Sequence, residues 1–182
     1  IMRVYVTGAC GQVGSHVVEM LLARGDEVYG IDNLETGRRE HLSDAKGLTL
    51  KIGSIADKEL VEEGIASFKP DVIVHTAASY KDPENYYEDT LTNCVGMANL
   101  TTSAKKHGVK RFIYFQTALC YGVKPLQQPI SLDHPLFPAN SSYAISKTAA
   151  EDYLKISGLD FVSFRLANVV GPRNTSGPLP IF

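Results

Sequence analysis

Residues 4 to 15, Val4-Tyr5-Val6-Thr7-Gly8-Ala9-Cys10-Gly11-Gln12-Val13-Gly14-Ser15, restrict the fold of this chain more than any other stretch. Met2 to Val6 reads as a short buried strand. After Gly11, apolar residues recur at Val13, Val17, Val18, Met20, Leu21 and Leu22, the spacing of an amphipathic helix. The three glycines therefore fall in a strand-to-helix turn. Without a Cβ, Gly8 and Gly11 let the backbone turn tightly and approach an anion that faces the first N–H groups of the helix. That turn predicts a seat for a nucleotide diphosphate against Gly8, Gly11, Gln12 and Val13. A tight βα turn that binds nothing is the alternative, and the next strand separates the two. Glu27 to Ile31 is a second apolar run ending at Asp32, eighteen residues after Gly14. An acidic side chain near that spacing is where a dinucleotide site holds the ribose hydroxyls, with Asn33 beside it. An Asp before Asn is also a common turn former, and both uses can coexist.

The rest of the chain repeats this alternation. Leu48 to Ile52 predicts a third strand, followed by Ser54-Ile55 and by a helix capped at Asp57 that carries Leu60, Val61, Ile65 and Phe68 on one face before Pro70. Asp71 to His75 is apolar without alternation, as a strand covered on both faces should be, and opens into Thr76-Ala77-Ala78-Ser79. A long helix is expected from about Glu84 to His107, a fifth strand over Arg111 to Phe115, a helix over Tyr143 to Lys155 capped by Ser141 or Ser142, and a sixth strand over Phe161 to Leu166. Asn33 to Lys46 reads as loop with one helical turn at most. Gly122 to Pro138 is a long loop with four prolines, and residues 171–182 form a Pro- and Gly-rich tail. Strands alternating with helices imply parallel crossovers and an α/β, doubly wound parallel sheet of the Rossmann kind in order 3-2-1-4-5-6.

With 182 residues, 44% of them hydrophobic, the chain can bury one core without a metal or disulfide, so residues 1–182 are expected to form one domain. A net charge of −2 gives no global attraction to nucleic acid or to an anionic membrane, and neither is an expected partner. Cys10, Cys94 and Cys120 lack metal or redox spacing and suit a reducing, cytoplasmic setting. No stretch reaches the ~20 apolar residues of a membrane span, and no signal-peptide layout opens the chain. His16, His41, His107 and His134 share no ligand spacing, so no metal site is expected.

Tyr143-Ala144-Ile145-Ser146-Lys147 places a phenol and an ammonium one turn apart on a helix face. A phenol of ordinary pKa ~10 must fall by about three units to act as a base near neutrality, roughly 4 kcal/mol of differential stabilisation. Lys147 and a positively charged nicotinamide are the expected suppliers. A surface helix with an incidental Tyr/Lys pair is the plain alternative.

Taken in order, these motifs resemble those of the extended short-chain dehydrogenase/reductases, specifically the nucleotide-sugar epimerases and dehydratases of the UDP-glucose 4-epimerase kind. The family's TGxxGxxG falls at Thr7 to Gly14, its acidic residue at Asp32, its small-residue segment at His75 to Ala78, and the helix asparagine that holds that segment at Asn93 with Gly96 following. Its S/T-x-x-x-YG is similar to Thr117 to Gly122, YxxxK falls at Tyr143 and Lys147, and RxxNVxGP at Arg165, Asn168, Val169, Gly171 and Pro172.

The resemblance implies NAD as cofactor, held by Gly8, Gly11, Gln12, Val13, Asp32, Asn33, Ser54, Ile55, Thr76, Ala77, Ala78, Asn93, Tyr143 and Lys147. It makes Tyr143 the catalytic acid/base, Lys147 the residue that binds the nicotinamide ribose and tunes Tyr143, and Thr117 the partner of the reacting sugar hydroxyl. Asn168 would face the diphosphate of a sugar nucleotide, with a UDP-sugar the expected substrate. Two helices, the long one and that of Tyr143, would pack in a homodimer. In two places the chain departs from the pattern. Ser54 stands where many relatives carry an Asp that holds the adenine amino group, and the chain ends at Phe182, where relatives continue into a smaller C-terminal substrate-binding domain. The implied activity is transient oxidation to a keto-sugar with hydride return, giving C4 epimerisation. The related dehydratases carry an Asp-Glu pair after the active-site Thr, where this chain has Ala118 and Leu119. A 4,6-dehydratase or reductase is the alternative within the family, and a non-catalytic NAD(P)(H)-sensing module the alternative outside it.

Overall fold

A computed structural model of the chain describes residues 1–174, so the end of the Pro- and Gly-rich tail lies outside the described residues. Six strands, β1 (Arg3–Thr7), β2 (Glu27–Asp32), β3 (Leu48–Ile52), β4 (Val72–His75), β5 (Arg111–Thr117) and β6 (Phe161–Leu166), form one parallel sheet in the order β3-β2-β1-β4-β5-β6. This is the Rossmann arrangement the sequence implies. The order reverses between β1 and β4, and in an open parallel sheet the crevice for a ligand lies at the carboxyl ends of the strands flanking that point.

Helices cover both faces because the strands are apolar on both. On one face α2 (Lys58–Phe68), α4 (Gly96–Lys106) and α5 (Ser142–Ser157) pack on Tyr5, Ile31, Ile73, Phe112 and Tyr114. On the other, α1 (Gln12–Ala23) places Val18 against Val4, Val6, Val28 and Val74. Helix starts follow local chemistry: Asp57 accepts the Leu60 N–H at 3.0 Å and Ser141 the Ala144 N–H at 3.1 Å. Lys69 and Gly158, both left-handed, close α2 and α5. No helix among the described residues is long and apolar enough to cross a membrane.

One expected element differs. The long helix from Glu84 is an α-helical turn, α3 (Tyr86–Asp89), then a π-helical segment over Thr90–Val95, then α4. The wider π turn buries Thr92 and Asn93, and their amide and hydroxyl groups find partners on neighbouring segments rather than facing solvent.

The approach of α1 to β1 is so close that a Cβ at Gly14 would lie 2.0 Å from the Gly8 carbonyl oxygen. Gly25 also has a left-handed φ of +88°, but open space around it. Gly14→Ala should therefore lower unfolding free energy by about 3 kcal/mol or more, since backbone must move. Gly25→Ala should lose only the ~1 kcal/mol of left-handed strain. Urea denaturation of the two variants measures the difference.

Candidate functional site

At the carboxyl ends of the strands a cavity of about 930 Å³ opens over the β1/β4 switch point. Its first wall is the glycine turn. Gly8 has φ +66°, and a Cβ there would meet the Ala77 backbone nitrogen at 2.8 Å. Thr76 Oγ1 donates to the Thr7 carbonyl at 2.7 Å, and Ala77 N–H donates to Thr7 Oγ1 at 3.2 Å. The turn and the Thr76-Ala77-Ala78 segment are thus stitched together beneath the cavity floor. Gly11 caps α1 with no side-chain hydrogen bond, which leaves the first N–H groups of the helix, at Gln12 and Val13, directed to the cavity they line. Donors of this kind, at a helix N-terminus with no side chain in the way, fit a dinucleotide diphosphate.

The second wall carries Asp32. Its Oδ2 accepts the Cys10 N–H at 2.9 Å and its Oδ1 the Leu34 N–H at 2.8 Å, so the carboxylate is fixed at the end of β2 while it lines the cavity with Asn33. Arg38 and Arg39 face elsewhere: Arg38 approaches Glu40 at 3.9 Å, Arg39 pairs with Asp44 and the Leu42 carbonyl, and neither lines the cavity. A fixed carboxylate with no cation beside it suits ribose hydroxyls and repels a 2′-phosphate. Ser54 and Ile55 line the same end. Asn99 donates to the Ile55 and Ala56 carbonyls at 3.0 and 3.1 Å, and Gly96 makes room for the Ile55 side chain, which a Cβ would meet at 2.6 Å.

Thr117, at the end of β5, and Tyr143 and Lys147, on the first turns of α5, form the opposite end. Thr117 lies close enough to Tyr143 to draw its phenol pKa downward. Lys147 is fully buried, with Nζ 4.3 Å from the centre of the Tyr114 ring. Behind α5, Arg165 of β6 makes a two-pronged pair with Glu151 and donates to Tyr121 Oη at 2.9 Å. Burial would raise the Glu151 carboxyl, but Arg165 and Lys155 hold it at about 2, so α5 is tied to β6 by a full ion pair. Asn168 lies exposed on the cavity rim.

Electrostatics at this end are set first by burial. Burial pushes Tyr143 up to about 12, against the opposing effect of Thr117, with Tyr80 and Asp89 adding to the rise. Protein groups alone do not activate the phenol. Burial also pushes Lys147 down to about 7, and burial together with Lys147 keeps His75 neutral. Among the described residues no carboxylate pairs with Lys147, so its donors suit hydroxyl acceptors in the cavity.

The cavity brings together every site residue expected from the sequence except Asn93. Asn93 is buried behind the wall. Its Oδ1 accepts the Ser79 N–H at 2.9 Å, and its Nδ2 donates to the Ser79 carbonyl at 3.0 Å and to Ser146 Oγ at 2.9 Å. It joins the segment after β4 to α5 and is not among the residues that line the cavity. Among the lining residues that were not anticipated are Tyr80, Lys81, Gln116 and Arg173. Tyr80 sets its ring edge-on to Tyr143 at 6.3 Å. Each of the four directly adjoins or follows a quoted motif, which was the available signal. The four histidines make separate contacts, with the Pro172 carbonyl, the Cys10 carbonyl, Glu62, and the Leu126 N–H. Among the described residues no three His, Cys, Asp or Glu side chains gather around a metal-sized space.

The position of Lys147 has a sign that can be checked. Between about pH 7 and its ordinary value of 10.5 the unfolded chain holds a proton that the folded chain has released, so this group adds stability as pH rises through that window. Below it, the buried charge is a full penalty. Lys147→Met should therefore raise the melting temperature of the chain, without added dinucleotide, at pH 6, and the gain should shrink by pH 9.5. Melting curves of both proteins at the two pH values measure it.

Residues 4–180 match the model of the NAD dependent epimerase/dehydratase family. The chain is 34% identical over 180 residues to the UDP-glucose 4-epimerase of Halalkalibacterium halodurans, covering 93% of this chain and 52% of that one. It is 38% identical over 186 residues to that of Mycolicibacterium smegmatis, covering 94% and 58%. The Bordetella bronchiseptica enzyme WbmH, solved with NAD+, superposes with a TM-score of 0.97 at 68% identity over 99% of this chain and 60% of that one. WbmG of the same organism, solved with NAD and UDP, gives 0.95 at 48% identity over 99% and 57%. The chain spans about half the length of the curated relatives it matches. With this sheet order, glycine turn and ordered motif set, the chain belongs to the NAD dependent epimerase/dehydratase family.

Proposed function

We propose that residues 1–182 are the NAD-binding domain of a nucleotide-sugar 4-epimerase, with a UDP-sugar as substrate and a further C-terminal domain completing the substrate site. The observation that carries this reading is the meeting of Thr117, Tyr143 and Lys147 at one end of a cavity whose other end holds the glycine turn and Asp32. A module that only senses NAD(P)(H) has no use for that trio. The relatives named UDP-glucose 4-epimerase, and WbmG with its bound NAD and UDP, support the substrate class.

In this reading Gln12 and Val13 bind the cofactor diphosphate, Asp32 and Asn33 its adenosine ribose, Ser54 and Ile55 its adenine, and Lys147 its second ribose, with Thr76, Ala77 and Ala78 along its length. Bound NAD supplies a hydride acceptor and a positive charge at the nicotinamide. Thr117 orients the C4 hydroxyl, and Tyr143 Oη takes its proton and returns it to the same oxygen after the keto-sugar has turned over to present the opposite face of C4. Asn168 faces the substrate diphosphate. Elimination of water would need an additional acid and base near the sugar. Among the described residues the carboxylates lining the cavity are Asp32 and Glu35, both at the β2 end, and Asp82 and Asp133 lie outside it. That favours epimerisation over dehydration. A homodimer through α3 and α5 is supported by their exposed apolar side chains, Tyr87, Ile145, Tyr153 and Ile156.

The full-length protein incubated with a panel of UDP-sugars should give the C4 epimer by NMR. Tyr143→Phe should reduce turnover by about 10²- to 10⁴-fold while NAD stays bound, because only the proton-transfer group is lost. A product lighter by one water, a 4-keto-6-deoxy sugar, would reject the epimerase reading.

A further inference from the structure

The segment after β6 carries a cation that the chemistry above does not use. Arg173 follows Gly171-Pro172 and lines the cavity beside Gln12, Val13 and Gly14. Its Nη1 donates to Ser15 Oγ at 3.0 Å and its Nη2 to Glu19 Oε1 at 2.6 Å. Just before it, the Pro172 carbonyl meets His16 Nε2 at 3.3 Å. Contacts from both residues therefore clip this segment onto the first turns of α1.

Two features of this arrangement are unfavourable by themselves. A guanidinium beside the amino end of α1 faces the positive end of the helix dipole. Arg173 also holds φ at +67°, a conformation that side chains other than glycine rarely adopt. Glu19, one turn along α1, offsets the charge in the chain alone. An anion seated between the guanidinium and the first N–H groups of α1 would offset the first of these. Ser15 and Glu19 occupy two of the five donors of Arg173, and its planar fork matches phosphate oxygens better than any other side chain.

We propose that Arg173 is a cofactor-binding residue, which leaves Glu19 to close over the diphosphate of the dinucleotide. This rests on the reading of the cavity as a dinucleotide site. Residues 171–174 then act as a strap whose hold depends on the diphosphate, and Glu19 is the competitor that keeps the strap in register in its absence.

The test is titration of the chain with NAD, and with adenosine as a probe that lacks the diphosphate, followed by NMR for wild type, Arg173→Ala, Arg173→Lys and Glu19→Gln. A charge-assisted contact predicts about tenfold weaker NAD binding for Arg173→Ala, with a flatter dependence on NaCl. Arg173→Lys should fall between wild type and Arg173→Ala. Adenosine affinity should not change in any variant. Removing the competitor should tighten NAD in Glu19→Gln. If wild type binds no NAD, the dinucleotide reading itself fails. If wild type binds NAD and Arg173→Ala binds it equally well, the strap proposal alone is overturned. It is overturned too if Arg173→Ala and Glu19→Gln both weaken NAD and adenosine alike, because that marks a purely structural clip.

Discussion

Everything at this site depends on one backbone contact. Gly14 lies so near Gly8 that no side chain fits between them, and the Thr76 hydroxyl closes the same gap, at 2.9 Å from where a Gly14 Cβ would stand. That contact fixes the amino end of α1 over the junction of β1 and β4. The first N–H groups of the helix then point into the crevice at the point where the strand order reverses. Asp32 is set by the same turn, since its carboxylate accepts the N–H of Cys10. The glycines thus position the acidic residue as well as the diphosphate seat.

At the other end the protein holds two groups in protonation states that favour neither attack nor charge. Burial raises Tyr143 and lowers Lys147, and their nearest aromatic neighbours, Tyr80 and Tyr114, add no charge that would reverse this. A phenol held near 12 is inert at neutral pH. In the function proposed above it would become a base only when positive charge and hydroxyl partners arrive with the cofactor, which would couple the proton transfer to occupancy of the dinucleotide site. The Glu151–Arg165 pair keeps α5 rigid against β6 while this happens.

The sheet order, the cavity and all but one of its expected residues were legible because they follow from local signals: glycines between a strand and a helix, Asp at a strand end, Tyr and Lys one turn apart. What escaped reading depends on tertiary context. The π segment at Thr90–Val95 has no Gly or Pro to announce it, and arises where Asn93 must reach both Ser79 and Ser146. The same geometry makes Asn93 the brace of the Thr76–Ser79 segment that its motif implies, set behind the cavity wall rather than in it. Arg173 follows a recognisable motif, but its reach to α1 spans 158 positions of sequence, which no spacing rule encodes. The upward shift of Tyr143 is equally invisible in sequence, because it comes from burial rather than from its Lys147 neighbour.

In the epimerase proposed above, a hydride leaves C4 of the sugar and returns to the same carbon without meeting solvent. The most direct measurement is turnover of a UDP-sugar deuterated at C4 by the full-length protein, with the product read by NMR and mass spectrometry. Hydride return to the opposite face gives an inverted C4 that keeps its deuterium. Loss of the label to water would contradict it.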